Sequence, residues 1–223
     1  MHSIFHVNSM SFRCIAALSV LLALLAIVGI VYVMDAGEGQ APSPMASDAE
    51  STDWALLGNS PDMQHHSSLS QINTETVSDL GLAWAIDLPT RDGLVGNPLI
   101  RNGRIFQGGS QSQVFANDLR TGKLLWTYKP LADRPPGSFL ETWLRSINRG
   151  VALYEDLVIV GTSDCRLVAI DQATGVVRWE AETCDGKQNY MISGAPRVGG
   201  GKVFIGNSCA DMGLNRGHVD AVD

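Results

Sequence analysis

The sequence has little charge, few cysteines and no basic cluster, and these shortages exclude several classes of function. Charged residues make up 17% of the 223 residues, and the formal net charge is −7. Nucleic-acid-binding domains carry a basic surface, so we expect no nucleic-acid partner. The four cysteines form neither a Cys-x-x-Cys-His haem motif nor a paired Cys-x-x-Cys zinc pattern.

A motif that occurs twice in full, and begins a third time, is the most informative feature present. Residues 116–126 read Ala-Asn-Asp-Leu-Arg-Thr-Gly-Lys-Leu-Leu-Trp, residues 169–179 read Ala-Ile-Asp-Gln-Ala-Thr-Gly-Val-Val-Arg-Trp, and residues 221–223 read Ala-Val-Asp. The three aspartates are spaced 53 and then 52 residues apart. A period of this length is typical of β-propeller blades.

Each copy of the motif predicts a β-hairpin. The Thr-Gly pair suits a tight turn, the aspartate can accept backbone N–H groups of that turn, and the tryptophan can pack between neighbouring blades. Matching strands precede the motifs at residues 103–109, 156–162 and 201–207, and innermost strands precede these at residues 97–100, 148–153 and 194–198. Three similar units in series predict an all-β fold of the β-propeller type.

The N-terminal region differs in composition from the rest of the chain. Residues 14–34 carry no charge and lie between Arg13 and Asp35. Because about 20 apolar residues span a bilayer, we expect one transmembrane helix, retained as an anchor or an uncleaved signal. A cleaved signal peptide is the competing interpretation, although its apolar region is usually shorter. The expected segments are a cytoplasmic N-terminus at 1–13, the inner-membrane anchor at 14–34, a flexible linker at 35–52 and a periplasmic propeller at 53–223.

Cysteine usage predicts at most one internal disulfide. Cys14 lies at the membrane edge, whereas Cys165, Cys184 and Cys209 would all face an oxidising compartment. One of these three thiols is left over, and the spacing leaves the pairing open.

Several motifs, taken in order, resemble the opening of the quinoproteins, the pyrroloquinoline-quinone (PQQ) dependent alcohol dehydrogenases. They are Asp53-Trp54 and the stretches at 68–73, 80–84, 121–126, 192–198 and 201–207. The resemblance implies an eight-bladed propeller, of which this chain holds about the first three blades. It also implies PQQ with Ca²⁺ or a lanthanide near the propeller axis, an alcohol or sugar as substrate, and cytochrome c or a quinone as electron acceptor.

The resemblance also assigns candidate site residues. Arg149 matches an arginine that contacts PQQ, a reasonable partner for a carboxylated quinone, and its alternative is an ordinary surface arginine. Ser193 and Ser208 match family residues whose hydroxyls bind the cofactor, although such hydroxyls are also turn formers. Cys209 and Ala210 follow Ser208 in the same cofactor loop. Asp211 matches the metal-binding glutamate, with a solvated loop aspartate as the alternative.

The sequence departs from the family in ways that bear on activity. The family's vicinal cysteine pair falls on Trp143 and Leu144, where the tryptophan could instead stack on the quinone or belong to the blade core. An expected glutamate is Val95. We assign no catalytic residue, because the family's catalytic aspartate belongs to later blades and we expect the chain to be truncated in mid-motif at Asp223. The sequence therefore predicts a PQQ-dependent dehydrogenase fragment, with a non-catalytic propeller scaffold of the cell envelope as the alternative.

Overall fold

The computed structural model of the chain describes residues 53–90, 93–130, 143, 146–188, 190–208 and 216–223. Across these ranges the chain forms eleven β-strands in three antiparallel sheets, together with three short 3₁₀ helices. The all-β prediction is therefore confirmed for the described part of the chain.

Each sheet is built from strands that follow one another along the chain. The first sheet contains β1 (Leu99–Arg101), β2 (Arg104–Gly108), β3 (Val114–Asp118) and β4 (Leu124–Tyr128). The second contains β5 (Ala152–Tyr154), β6 (Leu157–Gly161), β7 (Arg166–Asp171) and β8 (Val177–Glu182). The third contains β9 (Arg197–Gly199), β10 (Lys202–Gly206) and β11 (Val219–Val222). The 3₁₀ helices are Val77–Asp79, Ser110–Ser112 and Gly186–Gln188.

The first two sheets repeat one another in register. In the first, Asp118 at the end of β3 pairs with Arg104, and in the second Asp171 at the end of β7 pairs with Leu157. The pairing with the next strand shifts after Ala116 in one sheet and after Ala169 in the other. Both irregularities fall at the same position of the repeated motif, so the sequence repeat is also a structural repeat.

The inner strands of the second sheet, β5 to β7, are buried on both faces. Because successive side chains of a strand point to opposite faces, Val158 and Val160 of β6 join Phe106 of the first sheet in one cluster. Ile159, between them, joins Val203 of the third sheet in a second cluster. Burial on both faces explains why β6 is an uninterrupted apolar run rather than an alternating one. Sheets that pack face to face in series are the arrangement that a propeller predicts.

The aspartate of the motif organises the turn that follows it. The Asp118 carboxylate accepts hydrogen bonds from the Thr121 hydroxyl at 2.7 Å and the Thr121 amide at 2.8 Å. These two donors hold the pKa of Asp118 below its usual value. Asp171 accepts the equivalent bonds from Thr174, both at 2.8 Å, and its pKa is lowered for the same reason. The predicted turn-forming role of the aspartate is confirmed in both sheets.

The tryptophan of the motif connects one sheet to the next. Trp126 Nε1 donates to the carbonyl oxygen of Gln172, in the turn of the second sheet, at 3.0 Å. Trp84, from the segment before the first sheet, donates to Leu119 at 3.1 Å in the same way. The predicted packing of a motif tryptophan between blades is thus confirmed for Trp126.

A disulfide joins Cys165 to Cys184, with 4.9 Å between the two Cα atoms. Both cysteines are buried, in the cluster that fills the space between the second and third sheets. The prediction of one internal disulfide is confirmed, and the structure supplies the pairing that the sequence left open. Cys209 lies outside the described residues.

The predicted cytoplasmic segment, anchor and linker all lie within residues 1–52, outside the described residues. In the part of the chain that the structure describes, no helix is long and apolar enough to cross a membrane. The transmembrane helix therefore stays a prediction.

Candidate functional site

The candidate site forms where the innermost segments of the three sheets approach one another. Asn97, just before β1, makes a parallel β-bridge with Gly150, just before β5. A Cβ on Gly96 would lie only 2.8 Å from the Gly150 nitrogen, so only glycine permits this approach. Gly150 itself adopts φ 125°, a conformation that side-chain-bearing residues rarely adopt. The two segments are therefore in backbone contact beside Arg149.

Arg149 bridges the second and third sheets through Ser193. Its backbone N–H donates to the Ser193 carbonyl oxygen at 2.9 Å, and its Nη1 donates to the Ser193 hydroxyl at 2.6 Å. Two of the predicted cofactor-binding residues, 44 positions apart in the sequence, are thus in direct contact. Because Arg149 is exposed, its remaining guanidinium donors can reach a ligand.

Arg149 lines a recess of about 780 Å³. Apolar side chains from the innermost strands, Leu99 and Val151, form part of its wall. Trp143, which stands where the family has a vicinal cysteine pair, also lines it and is 53% exposed. Val95, which replaces a family glutamate, lines the same recess. The structure therefore brings Arg149 and Trp143 to one cavity, together with Val95.

The carbonyl oxygen of Trp143 accepts a hydrogen bond from the Ser146 hydroxyl at 2.6 Å, and Ser146 lines the same recess. This bond ties the backbone of Trp143 to the segment that leads into β5. The indole of Trp143 is exposed, and it offers a flat apolar surface on which an aromatic ligand can stack.

A second recess, of about 430 Å³, shares Arg149 with the first. Ser193 and Ser208 both line it. Ser208 makes a β-bridge with Met191, and its hydroxyl donates to the Met191 carbonyl oxygen at 3.0 Å. The structure thus brings three predicted residues, Arg149, Ser193 and Ser208, to one continuous surface. The hydroxyl proton of Ser208, however, is directed at the backbone rather than at a ligand.

The lining of both recesses is positively charged. Arg149 and Arg197 line both, and the described residues of the lining include no aspartate or glutamate. The side chain of Arg197 donates to the carbonyl oxygen of Pro196 at 3.2 Å, which leaves further guanidinium donors for other acceptors. Two cations beside apolar walls suit an anionic ligand with an apolar body.

Two residues of this region were missed by sequence reasoning as members of the site. Arg197 lies within the stretch at 192–198 that carried the resemblance, but its position on both recesses depends on the tertiary fold. Asn148 precedes Arg149, and its side chain is 1% exposed and hydrogen-bonded. A buried polar residue must be satisfied internally, but the sequence alone does not show which polar residues are buried.

Cys209, Ala210 and Asp211, with the predicted metal ligand among them, lie outside the described residues, as does Leu144. Among the residues that the structure does describe, no three histidine, cysteine, aspartate or glutamate side chains converge as they would around a metal ion. His65 and His66, which could pair on a metal, are exposed loop residues.

The sequence of the chain is similar to those of known proteins. A family model described as "Glucose/ethanol/alcohol dehydrogenase, beta-propeller domain" matches residues 54–222. The chain is similar to a lupanine 17-hydroxylase [cytochrome c] of a Pseudomonas species, with 44% identity over 198 residues that cover 88% of this chain and 28% of the relative. The chain therefore spans little more than a quarter of the length of that relative.

Solved structures support the same relationship. The fold is similar to quinohemoprotein alcohol dehydrogenase ADHIIG of Pseudomonas putida, with a TM-score of 0.72 and 40% identity, over 81% of this chain and 26% of that one. It is also similar to a europium-containing methanol dehydrogenase, with a TM-score of 0.67 and 28% identity, over 77% of this chain and 30% of that one.

Proposed function

The chain belongs to the glucose/ethanol/alcohol dehydrogenase β-propeller family, and from that premise we propose that the complete protein is a PQQ-dependent dehydrogenase of an alcohol or a sugar. The observation that carries the proposal is the contact of Arg149 with Ser193, because Arg149 lines both the recess that Trp143 lines and the recess that Ser193 lines.

The residues of the recess fit PQQ, which is a flat, conjugated molecule with three carboxylates. A recess of about 780 Å³ falls within the size range of small-molecule sites. The Arg149 guanidinium can bind a carboxylate through charge-assisted hydrogen bonds. The Trp143 indole can pack against the ring system, and the apolar wall that includes Leu99 and Val151 keeps water away from it. We assign Ser208, Cys209 and Ala210 to the same cofactor site.

PQQ, when bound, supplies the two-electron acceptor that turns an alcohol into the corresponding carbonyl compound. The role of the chain's own residues is to bind this cofactor and to orient it. Ser193 accepts a hydrogen bond from Arg149, so the proton of its own hydroxyl remains to be donated to an oxygen of the ligand. The backbone N–H of Arg149 in turn donates to the Ser193 carbonyl oxygen. This bond holds the backbone from which the Arg149 side chain extends toward the ligand.

We further propose Asp211 as a ligand of Ca²⁺ or of a lanthanide. Carboxylate oxygens are the ligands that such hard cations prefer. The europium-containing methanol dehydrogenase is a relative with a metal of this kind, which supports a lanthanide as one of the two choices.

For the electron acceptor we propose cytochrome c or a quinone. The name of the lupanine 17-hydroxylase includes cytochrome c, which supports the first choice. That relative also extends the substrates to be tested, because its name describes the hydroxylation of lupanine rather than the oxidation of an alcohol.

We propose that residues 14–34 anchor the protein in the inner membrane, with the propeller in the periplasm. The uncharged run supports the anchor, and the Cys165–Cys184 disulfide supports an oxidising compartment. Protease treatment of spheroplasts that make the complete protein tests this topology. We expect loss of the propeller with retention of a short membrane-bound fragment, and protection of the propeller would contradict the proposal.

The activity is tested with the complete protein loaded with PQQ and either Ca²⁺ or a lanthanide. A panel of primary alcohols, sugars and lupanine is offered with cytochrome c or an artificial electron acceptor. We expect substrate-dependent reduction of the acceptor, lost in Arg149→Met and kept in Arg101→Met. Arg101 is a suitable control because it is a half-buried arginine that donates to the Glu155 carbonyl oxygen in a turn and lines neither recess.

The non-catalytic scaffold remains the second candidate, and Val95 in place of a glutamate is the observation that favours it. Protein that takes up no PQQ, but is recovered from solubilised envelope in a stable complex with a partner, would support the scaffold against the dehydrogenase.

A further inference from the structure

The side chain of Asn148 is buried at the point where the inner segments of the sheets meet. Its exposed fraction is 1%, and both ends of its amide are hydrogen-bonded. Nδ2 donates to the carbonyl oxygen of Gly161, at the end of β6, at 3.2 Å. Oδ1 accepts the N–H of Gly150 at 2.9 Å. Asn148 therefore ties the segment before β5 to the end of the neighbouring strand.

The residue enclosed by these bonds is Arg149. A side-chain oxygen that accepts the N–H two residues further on closes an Asx turn, and the residue between them has its backbone dihedrals fixed by that closure. Arg149 is that residue, and its own N–H is bound to Ser193 on the other side. Its side chain therefore leaves the backbone in one direction, toward the Ser193 hydroxyl and the recess.

The first sheet closes the remaining side of Asn148. A Cβ on Gly108, the last residue of β2, would lie 2.6 Å from Asn148 Oδ1. Such an approach is open only to glycine, so Oδ1 is confined between Gly108 and the Gly150 N–H that it accepts. The amide has little freedom to turn, and a side chain without an acceptor oxygen would release the Asx turn.

From this geometry we infer that Asn148 is a positioning residue for Arg149, and that it sets the affinity of the recess for a carboxylated ligand by holding the Arg149 guanidinium in place. The inference rests on the proposed function in so far as PQQ is that ligand. Asn148 lines neither recess and acts only through its neighbour.

The test is a titration of the complete protein with PQQ in the presence of Ca²⁺, by calorimetry, for wild type, Asn148→Ala and Asn148→Ser. We expect Asn148→Ala to raise the Kd for PQQ about tenfold, the effect of one well-placed hydrogen bond. Because a serine oxygen can still accept the Gly150 N–H, we expect Asn148→Ser to raise the Kd only about threefold. If the alanine variant fails to fold, the Kd of the serine variant still tests the inference.

Asn117→Ala is the matched control. Asn117 is also a buried asparagine, 3% exposed, and its Nδ2 donates to the Gly122 carbonyl oxygen at 2.9 Å in the turn of the first sheet. It lines neither recess. We expect Asn117→Ala to lower the melting temperature while leaving the Kd for PQQ unchanged.

A double-mutant cycle separates positioning from general stability. In an Arg149→Met background there is no guanidinium to position, so Asn148→Ala should change the Kd by less than about twofold. A full effect in that background, or an equal effect of Asn117→Ala, would overturn the inference. An unchanged Kd in Asn148→Ala, with wild type binding PQQ, would overturn the inference alone, whereas no binding by wild type would overturn the proposed function with it.

Discussion

The indole of Trp126 lies against Gly175, and a Cβ placed on this glycine would be 2.8 Å from the Trp126 ring. Gly175 is the glycine of the repeated Thr-Gly pair in the second sheet. The same relationship recurs one sheet earlier, where a Cβ on Gly122 would lie 2.7 Å from the ring of Trp84. Each motif glycine is therefore both a turn residue and the surface on which the preceding tryptophan packs.

This relationship predicts that Gly175→Ala destabilises the protein more than its backbone conformation alone requires. Gly175 adopts φ 75° and Gly103 adopts φ 70°, but nothing lies within 4 Å of a Cβ on Gly103. Gly103→Ala should therefore cost only the strain of a left-handed alanine, about 1–2 kcal/mol. Gly175→Ala should cost about 1–3 kcal/mol more, because the Trp126 ring must move.

Urea unfolding of the two alanine variants measures this difference directly. Equal free energies of unfolding for Gly175→Ala and Gly103→Ala would show that an added Cβ at Gly175 does not displace the Trp126 ring at any cost, which would contradict this account of the motif.

The Cys165–Cys184 disulfide should contribute substantially to stability. It closes a loop of 19 residues between two buried positions. Loss of such a loop constraint costs about 3 kcal/mol in the chain-entropy description. The Cys165→Ala, Cys184→Ala double variant should therefore melt at a lower temperature than wild type.

The control for the disulfide is a reductant. It should lower the melting temperature of wild type toward that of the double variant and leave the double variant unchanged. A wild-type protein that melts at the same temperature with the disulfide reduced would contradict the predicted contribution.

The turn aspartates predict a pH dependence of stability. The Thr174 hydroxyl and amide hold the pKa of Asp171 below its usual value, so the folded state favours the ionised carboxylate. This preference stabilises the folded protein at any pH above the pKa of Asp171 in the unfolded chain, which is about 4. The stabilisation is lost as the pH falls through the lower pKa that Asp171 has in the folded protein. Thr174→Val should therefore destabilise the protein at pH 7, and its effect should shrink below about pH 4.

Thr127→Val, in β4, is the control for this prediction, because Thr127 takes no part in the hydrogen bonds of Asp171. The effect of Thr127→Val on the free energy of unfolding should not depend on the protonation of Asp171. If the effect of Thr174→Val were the same at pH 7 and pH 3, the link between the hydroxyl and the carboxylate would be wrong.

The sequence predicted the fold better than the site because the fold depends on repeated local chemistry. The Asp and Thr-Gly of the motif form the same turn wherever they occur, so Asp118 and Asp171 could be assigned from the repeat alone. The site depends instead on contacts between sheets. The bond from Arg149 to Ser193 spans 44 residues, and only the resemblance to a family pointed to the two together.

Asn148 shows what sequence reasoning could not supply. Its neighbour Arg149 carried the resemblance, but nothing in the letters Asn-Arg-Gly shows that the asparagine is confined by Gly108 or bonded to Gly161. The pairing of Cys165 with Cys184 was equally open, because spacing alone does not decide which of three cysteines is excluded. Both depend on which strands become neighbours.

The most direct test of the account is the uptake of PQQ by the complete protein in the presence of Ca²⁺, measured by absorbance after gel filtration for wild type, Arg149→Met and Arg101→Met. The account predicts one PQQ per chain in wild type and in Arg101→Met, and an affinity lowered by about tenfold or more in Arg149→Met, because a charge-assisted contact is lost. Wild-type protein that retains no PQQ, or an Arg149→Met variant that binds it as well as wild type, would contradict the assignment of this recess as the cofactor site.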